Sequence, residues 1–471
     1  MCKTKGASCD WIPAEYWKSL RELTKLPWFR RAWIPQEIGT DADALVYWGS
    51  EKMKWENLHC GMRHLETQGW ELKKKHKIDA TAVTILFRRF SHLSTDKTAA
   101  QARRSFIYQL CLSAKNVATD PRDYVFSQLG HPSAWIETEK AMIIQPDYDN
   151  TIADLYHEIA IRALTTDSTL MVLNAVSDNG EPRPPLPGGR SLPRWVPRWD
   201  AGRLANIIGF PGRYNASGSR RSGLTKASFE DGYETLVAKG LVVDVIDNVM
   251  TKFTSNSFNP DSSKKEFIQA AWRLCRAKPA AFQSSSRDKD KDKTDSGKFT
   301  AQGVYQSDLT PALKAFLDTL APVARLTHFS SRVSSPSPPS DTSAYYSGIV
   351  ALDKLFPASS FSTKHDPRKL VAANGEKGNP AAWIQAAEDH AVHRCFAVSK
   401  VLGFFALVPP TTKTGDVLCV LLGGETPYVL RSDPKDVERY LFVGEAYVPG
   451  LMKDSVGWLA SGSECKRLRI R

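Results

Sequence analysis

The feature that most constrains the fold of this chain is a change in the spacing of its apolar residues. Between residues 12 and 177, apolar side chains recur mostly at helical intervals. Beyond residue 390 they form short runs separated by glycine, proline, aspartate and threonine, as in tight turns between antiparallel strands. These runs are Cys395–Val398, Phe404–Val408, Val417–Leu422, Tyr428–Leu430 and Leu441–Val448. The sequence therefore predicts an α+β protein with a mainly helical middle region and a C-terminal antiparallel β module.

The same change in pattern predicts four regions along the chain. These are an aromatic-rich front at 1–50, a helical region at 51–177, an irregular Pro/Gly/Arg-rich connection at 178–232 and a β-rich module at 233–471. The β-rich module opens with the β-branched run Leu236–Val249. Two polar stretches, near 284–298 and 330–343, have almost no apolar residues to offset the entropy of ordering, so both are predicted to be disordered loops. A helix is expected between them, through Leu313–Leu320.

Two helix starts carry local signals in the helical region. Apolar residues from Ile152 to Leu164 follow the 3.6-residue period, with Thr151 as the predicted N-cap and Asp154 in the first turn. Asp120-Pro121-Arg122-Asp123 admits two interpretations, a catalytic acid pair or a helix cap. We favour the cap, with Asp120 at the N-cap, proline at the first helical position and Asp123 near the positive helix end.

The charge balance and the cysteines argue against several classes of site. The chain has 63 basic and 51 acidic residues, but the basic ones are scattered and no zinc-finger spacing accompanies them, so no specific nucleic-acid partner is predicted. The eight cysteines form no CxxC pair, and His157-Glu158 lacks the second histidine of a zinc motif. No phosphate-binding glycine loop, apolar signal segment or run of 18 apolar residues is present. We expect a cytoplasmic protein with reduced thiols and with no cofactor, metal or membrane span.

The segment Leu26–Gly39, LPWFRRAWIPQEIG, concentrates aromatic and charged residues. Glu37 is the weak catalytic candidate of the chain, because a carboxylate on an aromatic-rich helix can act as a general base or bind ribose hydroxyls. The alternative is that Trp28, Phe29 and Trp33 anchor a core while Glu37 pairs with Arg30 or Arg31. Left uncovered, the three aromatic residues would instead form an apolar patch. The run Ala44–Gly49 that follows predicts a short buried strand.

Two further segments suggest how the later region is organised. Trp195 and Trp199, four residues apart in LPRWVPRWD, predict a stretch pinned onto the surface of a core. Gly423–Pro427 predicts a hairpin turn, because glycine adopts positive φ without steric cost. The exposed rim of the β module is a candidate protein-recognition surface, and a simple structural role is the alternative that we favour.

Several of these segments together resemble the fungal heterokaryon incompatibility (HET-domain) family. Trp17-Lys18-Ser19-Leu20 and Leu26–Glu37 are similar to its W-x-x-L and R-P-W-F-x-R-x-W-x-x-Q-E blocks. Asp120–Phe126, Gln145–Tyr148 and Leu192–Asp200 follow its D-P-R-D-x-V-Y, x-P-D-Y and L-P-x-W-x-P-x-W stretches in the same order. Three closing segments resemble its β module: Gly415–Val420, Pro427–Arg431 and Val443–Val448. The motif residues that the resemblance assigns are Trp28, Phe29, Arg31, Trp33, Gln36, Glu37, Asp120, Arg122, Asp123, Asp147, Tyr148, Trp195, Trp199, Gly415, Asp416, Gly444, Glu445 and Tyr447.

The resemblance also has departures. The family's opening strand blocks are not found before Trp17, and its closing G-x-M-x-G-E element is altered to Gly450–Ser455. Residues 1–50 are therefore expected to be the C-terminal remnant of a TIR-like α/β HET domain, in an N-terminally truncated member. The resemblance implies a regulatory or interaction role in non-self recognition and programmed cell death, with unidentified protein partners and no independent catalysis. The alternative that it implies is a TIR-like, NAD-cleaving enzyme that needs a partner or the missing segment.

Overall fold

A computed structural model describes the chain in separate stretches. They are residues 12–38, 44–67, 69–80, 83–84, 105–114, 116–166, 169–177, 185–187, 191–202, 205–209, 213–218, 227–259, 266–276, 311–321, 380–453 and 465–471. The chain divides into two compact units, the first made of the described residues up to Tyr148 and the second of those from Asp149 onward. The loops predicted near 284–298 and 330–343 lie outside the described residues.

The first unit is mainly helical. Its elements are α1 (Ala14–Thr24), α2 (Ile34–Ile38), β1 (Leu45–Trp48), β2 (Glu51–Lys54), α3 (Trp55–Thr67), α4 (Trp70–His76), α5 (Phe106–Ser113), α6 (Asp123–Phe126), β3 (Trp135–Ile136) and β4 (Ala141–Met142). A 3-10 turn, Pro27–Arg30, separates α1 from α2 because proline is tolerated only in the first turn of a helix.

The aromatic residues after α1 anchor the core of the first unit. Phe29 is buried together with Trp17 and Trp55, and Trp28 packs against the same cluster. The rings of Trp28 and Trp55 meet edge to face, with centroids 6.1 Å apart. Trp33 is half-buried. The interpretation of Trp28 and Phe29 as core anchors is therefore confirmed, because Trp55 at the start of α3 covers Phe29.

The strand predicted at Ala44–Gly49 is present as β1, but the prediction that it is buried is wrong. β1 pairs only with β2 among the described strands, in a hairpin. Val46 and Trp48 face the apolar cluster, whereas Leu45 and Tyr47 are 50% and 68% exposed. A two-stranded hairpin covers a core with one face only, so alternate residues remain in solvent.

The second unit combines helices with a large sheet. Its elements are α7 (Ile152–Thr166), α8 (Met171–Asn174), β5 (Ser228–Glu230), β6 (Thr235–Val249), α9 (Glu266–Arg276), α10 (Pro311–Leu320), α11 (Pro380–Ala391), β7 (Cys395–Ser399), β8 (Phe405–Val408), β9 (Val417–Leu421), β10 (Tyr428–Asp433), β11 (Asp436–Glu445) and β12 (Lys466–Ile470). In α7 the predicted cap is confirmed, since Thr151 Oγ1 accepts from the N–H of Asp154 at 3.1 Å. The predicted apolar face of α7 is buried throughout.

The strands of the second unit close into a barrel. The order β12-β11-β10-β9-β6 returns to β12, because β12 also pairs with β6. The hairpin β7–β8 closes a second ring, since β7 pairs with β6 and Leu407 of β8 bridges Tyr447 just after β11. The β11–β12 pair is parallel, which corrects the expectation of a wholly antiparallel module. A hairpin cannot join parallel strands, so this pairing has no local turn signal in the sequence.

Strand β6 takes part in both rings because it is long and bent. It has 15 residues, and its register shifts between Val242 and Asp244 and again between Ile246 and Asn248. Such bulges bend a strand and increase its twist. The side chain of Asp244 accepts from the N–H groups of Val401 and Leu402, at 3.1 and 2.7 Å, and so anchors the β7–β8 turn to the first bulge.

At Gly240 the backbones of two strands in the barrel wall approach closely. A Cβ there would lie 2.8 Å from the carbonyl oxygen of Val420 and 2.8 Å from Leu421 Cδ2. The first of these atoms belongs to the paired strand β9, so it can move only with the sheet. Gly240 is thus required by the pairing of β6 with β9.

We expect Gly240→Ala to lower the free energy of unfolding by about 1–3 kcal/mol, because the added methyl group overpacks the β6–β9 contact. Urea denaturation of the purified chain measures the loss. The matched control is Gly61→Ala in α3, where an added Cβ meets nothing within 4 Å. The control should gain up to about 1 kcal/mol through helix propensity, and equal effects of the two substitutions would contradict the prediction.

Candidate functional site

The polar centre of the second unit is a buried ion pair between Arg394 and Glu445. Arg394 Nη2 lies 2.9 Å from Glu445 Oε1, and the two side chains are only 4% and 3% exposed. Arg394 directly precedes β7 and Glu445 ends β11, so the pair joins the two ends of the β7–β11 segment. Arg394 Nη1 also donates to the carbonyl of His390 in α11, 2.8 Å away. Each charge has its counter-charge at hydrogen-bonding distance, which offsets the cost of burial.

Glu445 also holds a piece of main chain that precedes the barrel in sequence. Its Oε1 accepts from the N–H of Ile208 at 2.9 Å, and its Oε2 accepts from the N–H of Gly209 at 3.0 Å. Arg394 Nη2 donates to the carbonyl of Asn206. The ion pair therefore binds both amides and a carbonyl of the segment Ala205–Gly209, which we call the bound segment.

A second contact follows at Gly209. Asn174 Nδ2 donates to the Gly209 carbonyl at 2.9 Å, and Asn174 Oδ1 accepts from the Tyr428 hydroxyl at 2.7 Å. Burial and the negative charges of Glu445 and Glu425 hold the pKa of Tyr428 well above its ordinary value. Tyr428 is therefore a neutral donor that orients the Asn174 amide towards the bound segment.

His390 is uncharged at neutral pH. Burial, with the nearby charge of Arg213, lowers the pKa of His390 to about 3. Its Nδ1 lies 3.1 Å from the carbonyl of Ala386, which can only accept, so Nδ1 carries the proton. Its Nε2 is left to accept from Arg213 Nη2, 3.5 Å away. The imidazole thus adds no positive charge beside Arg394.

A second ion pair fixes the start of β9. Arg431 Nε and Nη2 each lie 2.8 Å from an oxygen of Asp416, in bidentate geometry. Asp416 also accepts from the N–H of Lys413 at 2.8 Å. Gly415, with φ of +93°, directs the chain into this turn. At Gly444, φ is +149° and a Cβ would lie 2.8 Å from Pro409 Cγ. The two motif glycines therefore meet backbone requirements of the barrel.

The predicted hairpin turn is confirmed, since β9 and β10 pair antiparallel on either side of residues 423–427. This turn is buried, so it is not part of an exposed rim of the β module. The carbonyl of Gly423 accepts from the N–H of Leu170, and that of Glu425 accepts from Ala216, both at 3.1 Å. These two hydrogen bonds place Leu170 and the stretch 213–218 over the turn. The carbonyl groups of the turn are therefore paired although they are buried.

The two tryptophans of LPRWVPRWD are deeper than predicted. Trp195 is fully buried and Trp199 nearly so, and Trp195 Nε1 donates to the carbonyl of Glu234 at 3.1 Å. The ring of Trp195 also contacts that of His157 in α7, with centroids 5.5 Å apart. The motif residue Tyr447 is buried and its ring contacts that of Tyr214, at 5.9 Å. Through these contacts, α7 and the connecting segments pack against the residues next to β6 and β11.

In the first unit, Arg122 gathers the other charged motif residues. Its Nε and Nη2 lie 3.0 and 2.8 Å from the two oxygens of Asp120, and its Nη1 donates to the carbonyl of Tyr148. The Tyr148 hydroxyl donates to Asp123 Oδ1 at 2.6 Å. That hydrogen bond raises the pKa of Tyr148 to about 12, while the one from Arg122 lowers the pKa of Asp120. The cluster therefore ties the start of α6 to the end of the unit.

The predicted cap at Asp120 is displaced by two residues. Helix α6 begins at Asp123 with Arg122 in the N-cap position, and no side chain caps it. Asp120 instead closes the preceding turn, accepting from the N–H of Arg122 at 2.9 Å. The reason is that the Arg122 guanidinium holds the carboxylate of Asp120 over this turn. Asp123 does lie in the first turn of the helix, as predicted.

Gln36 connects this cluster with the LPWFRRAWIPQEIG segment. Its Nε2 donates to the carbonyls of Phe126 and Ser127, at 3.3 and 2.9 Å. Gly130 leaves room for the Gln36 side chain, since a Cβ there would lie 3.1 Å from Gln36 Cδ. Two motifs some 90 residues apart in sequence thus meet through one amide.

The catalytic candidate Glu37 is exposed on α2, a helix of five residues. Arg30, one of its two expected partners, forms an ion pair with Asp79 at 3.0 Å. Arg31 and Asp147 are also exposed. The structure therefore brings Gln36, Asp120, Arg122, Asp123 and Tyr148 together, but it does not bring Glu37 into that cluster, and a role for Glu37 as a base stays a prediction.

The described residues offer few chemical groups beyond these ion pairs. Among them, no group of three His, Cys, Asp or Glu side chains is arranged to hold a metal ion. Within the same residues, no helix is both long and apolar enough to cross a bilayer. No disulfide joins any of the six described cysteines. Burial raises the pKa of Cys275, Cys395 and Cys419, in the case of Cys395 to about 11, so these thiols are uncharged at neutral pH.

Sequence reasoning missed Arg394, Asn174 and the bound segment. For Arg394 the only signal is its place directly before the apolar run Cys395–Val398, and an arginine needs a partner there only if it is buried. The bound segment carries no comparable signal. It lies in the predicted irregular connection, and 237 positions separate Ile208 from Glu445.

Comparison with known proteins identifies the barrel segment. Residues 382–464 match the Het-6 beta-barrel domain, a domain related to the heterokaryon incompatibility family. The matched range contains most of α11, strands β7 to β11 and both members of the Arg394–Glu445 pair. Neither the curated proteins nor the solved structures contain a match to the chain.

We expect Glu445→Gln to lower the free energy of unfolding by about 3–5 kcal/mol, because Arg394 is left buried without its counter-charge. Urea denaturation measures the loss. The matched control is Glu438→Gln, which breaks an ion pair with Arg469 at a side chain that is 74% exposed. The control should lose no more than about 1 kcal/mol, and similar losses in both variants would overturn the prediction.

We expect Asp123→Asn to lower the pKa of Tyr148 from about 12 towards the ordinary 10.0, since both the charged acceptor and its negative charge are lost. Because folding raises this pKa, the stabilising hydrogen bond is present below pH 10 and is lost as pH rises towards 12. Titration of ¹³Cζ-labelled tyrosine by NMR measures it, with Tyr148→Phe assigning the resonance. An unchanged pKa in Asp123→Asn would refute the assigned cause.

Proposed function

We propose that this chain is a protein of the heterokaryon incompatibility class that regulates programmed cell death in fungal non-self recognition. In this proposal it acts in the cytoplasm through contacts with other proteins and catalyses no reaction itself. The observation that carries the proposal is the match of residues 382–464 to the Het-6 beta-barrel domain. The ordered motifs of the first unit, at Leu26–Glu37 and Asp120–Phe126, support the same class.

The construction of the barrel supports a role for the whole second unit. Strands β6 and β12 lie outside the matched range, yet both are needed to close the first ring of strands. Within the matched range, Glu445 binds the segment that contains Ile208 and Gly209. The barrel is therefore joined to preceding parts of the chain by strand pairing and by buried hydrogen bonds, as expected of one recognition domain.

The partners of the motif carboxylates favour an interaction role over a catalytic one. Glu445 is held by Arg394, Asp416 by Arg431 and Asp120 by Arg122. A general base has to be within hydrogen-bonding reach of the proton that it abstracts. These carboxylates instead direct their oxygens to guanidinium and main-chain N–H groups, which supports roles in shape and recognition.

Co-expression in a fungal host tests the regulatory role. We expect cells that express this chain alone to keep growing, and expect the chain to reduce the fraction of dying cells when a full-length HET-domain protein is expressed with it. Glu438→Gln should retain the effect and Glu445→Gln should lose it, because only the second change weakens the barrel. Death caused by this chain alone, or an unchanged fraction of dying cells with the partner, would count against the proposal.

The absence of catalysis has its own test. Purified chain incubated with NAD is expected to release no nicotinamide, and Glu37→Gln should behave identically. Nicotinamide release that disappears in Glu37→Gln would instead support the NAD-cleaving alternative and assign Glu37 as its catalytic residue.

A further inference from the structure

We infer that the barrel contains a peptide-binding site, and that the bound segment, Ala205–Gly209, occupies this site within the same chain. The site suits a short bent stretch in which a branched aliphatic residue is followed by glycine, because two successive N–H groups reach the same carboxylate. A protein partner that carries this pattern would compete with the bound segment for the site. The inference rests on the proposed interaction role and deepens it, because it states the chemistry of the partner.

Main-chain recognition is the first argument. Both oxygens of Glu445 accept from successive N–H groups, those of Ile208 and Gly209. Arg394 donates to the carbonyl of Asn206, and Asn174 donates to the carbonyl of Gly209. Every peptide offers these backbone groups, so they supply affinity without requiring a particular sequence.

Side-chain selectivity comes from two adjacent positions. Ile208 is fully buried in the apolar cluster of the second unit, which selects an aliphatic side chain. At Gly209, a Cβ would overlap Asn174 Nδ2 and would lie 2.6 Å from Thr426 Cγ2. Real Cβ contacts are not that short, so the second position accepts glycine only. The pair of requirements gives the site a short sequence preference.

The bound segment can leave without breaking the barrel. Its described residues contribute no strand to either ring, which are built from β6 to β12. Arg394 and Glu445 remain each other's partners at 2.9 Å when the segment departs, so neither charge is left uncompensated. Water can then replace the main-chain groups at the ion pair. When the bound segment is released, the chain therefore loses mainly the apolar contacts of Ile208 and the hydrogen bonds to the backbone of the segment.

Peptide binding in trans tests the inference on the full chain. Gly209→Ala prevents the bound segment from fitting, while the site itself is unaltered. A fluorescein-labelled peptide with the sequence of residues 203–212 should bind this variant saturably in fluorescence anisotropy. Its affinity for the unaltered chain should be roughly 100-fold weaker, because the tethered segment competes at a high effective concentration. A peptide with alanine in place of the glycine is the control and should not bind.

A folded Gly209→Ala chain that fails to bind the peptide would overturn the inference. Should that variant not fold, hydrogen exchange of the unaltered chain decides. The amides of Ile208 and Gly209 should exchange through local opening, at lower protection than the amides of β9. Equal protection would show that the segment leaves only on global unfolding and would likewise overturn the inference. The co-expression assay is separate, so failure here leaves the proposed regulatory role standing.

Discussion

The ion pair between Arg394 and Glu445 is the contact through which the distant parts of the second unit meet. It lies where β7 begins and β11 ends, and it also reaches α11 and the bound segment. A charge buried among apolar side chains is tolerated only when its partners are all in place. Strands β7 and β11 and helix α11 must therefore arrive together, which makes this part of the fold cooperative.

Strand β6 sets the second constraint on the fold, because it belongs to both rings of strands. Its pairing with β9 and β12 joins parts of the sequence separated by roughly 180–230 positions. Contacts between residues so far apart in sequence form only after the entropy cost of closing the loop between them has been overcome. The bulge at Asp244 lets one strand serve two partners along the same edge, β12 near its start and β7 near its end.

Local patterns explain what the sequence could predict. The helix at Ile152–Thr166 with its Thr151 cap, the helix at Pro311–Leu320 and the strands from β7 to β11 all follow from periodicity and turn residues. The strand β12 was missed because its residues, KRLRI, alternate charged with apolar, and its burial depends on pairing with β6 and β11. The exposure of Tyr47 and the burial of the 423–427 turn depend likewise on which distant segment covers them. Of the Arg394–Glu445 pair, the sequence identified Glu445, by resemblance, but it did not identify Arg394.

Three of the motif residues, Gln36, Asp416 and Glu445, share a physical property. Gln36 donates to two carbonyls, Asp416 accepts from the N–H of Lys413, and Glu445 accepts from those of Ile208 and Gly209. Their side chains bind backbone, and backbone binding fixes the path of the chain rather than the chemistry of a ligand. Sequence similarity at Gln36, Asp416 and Glu445 is therefore an argument about the fold, and a catalytic claim for the chain needs a residue whose side chain is not committed to the backbone in this way.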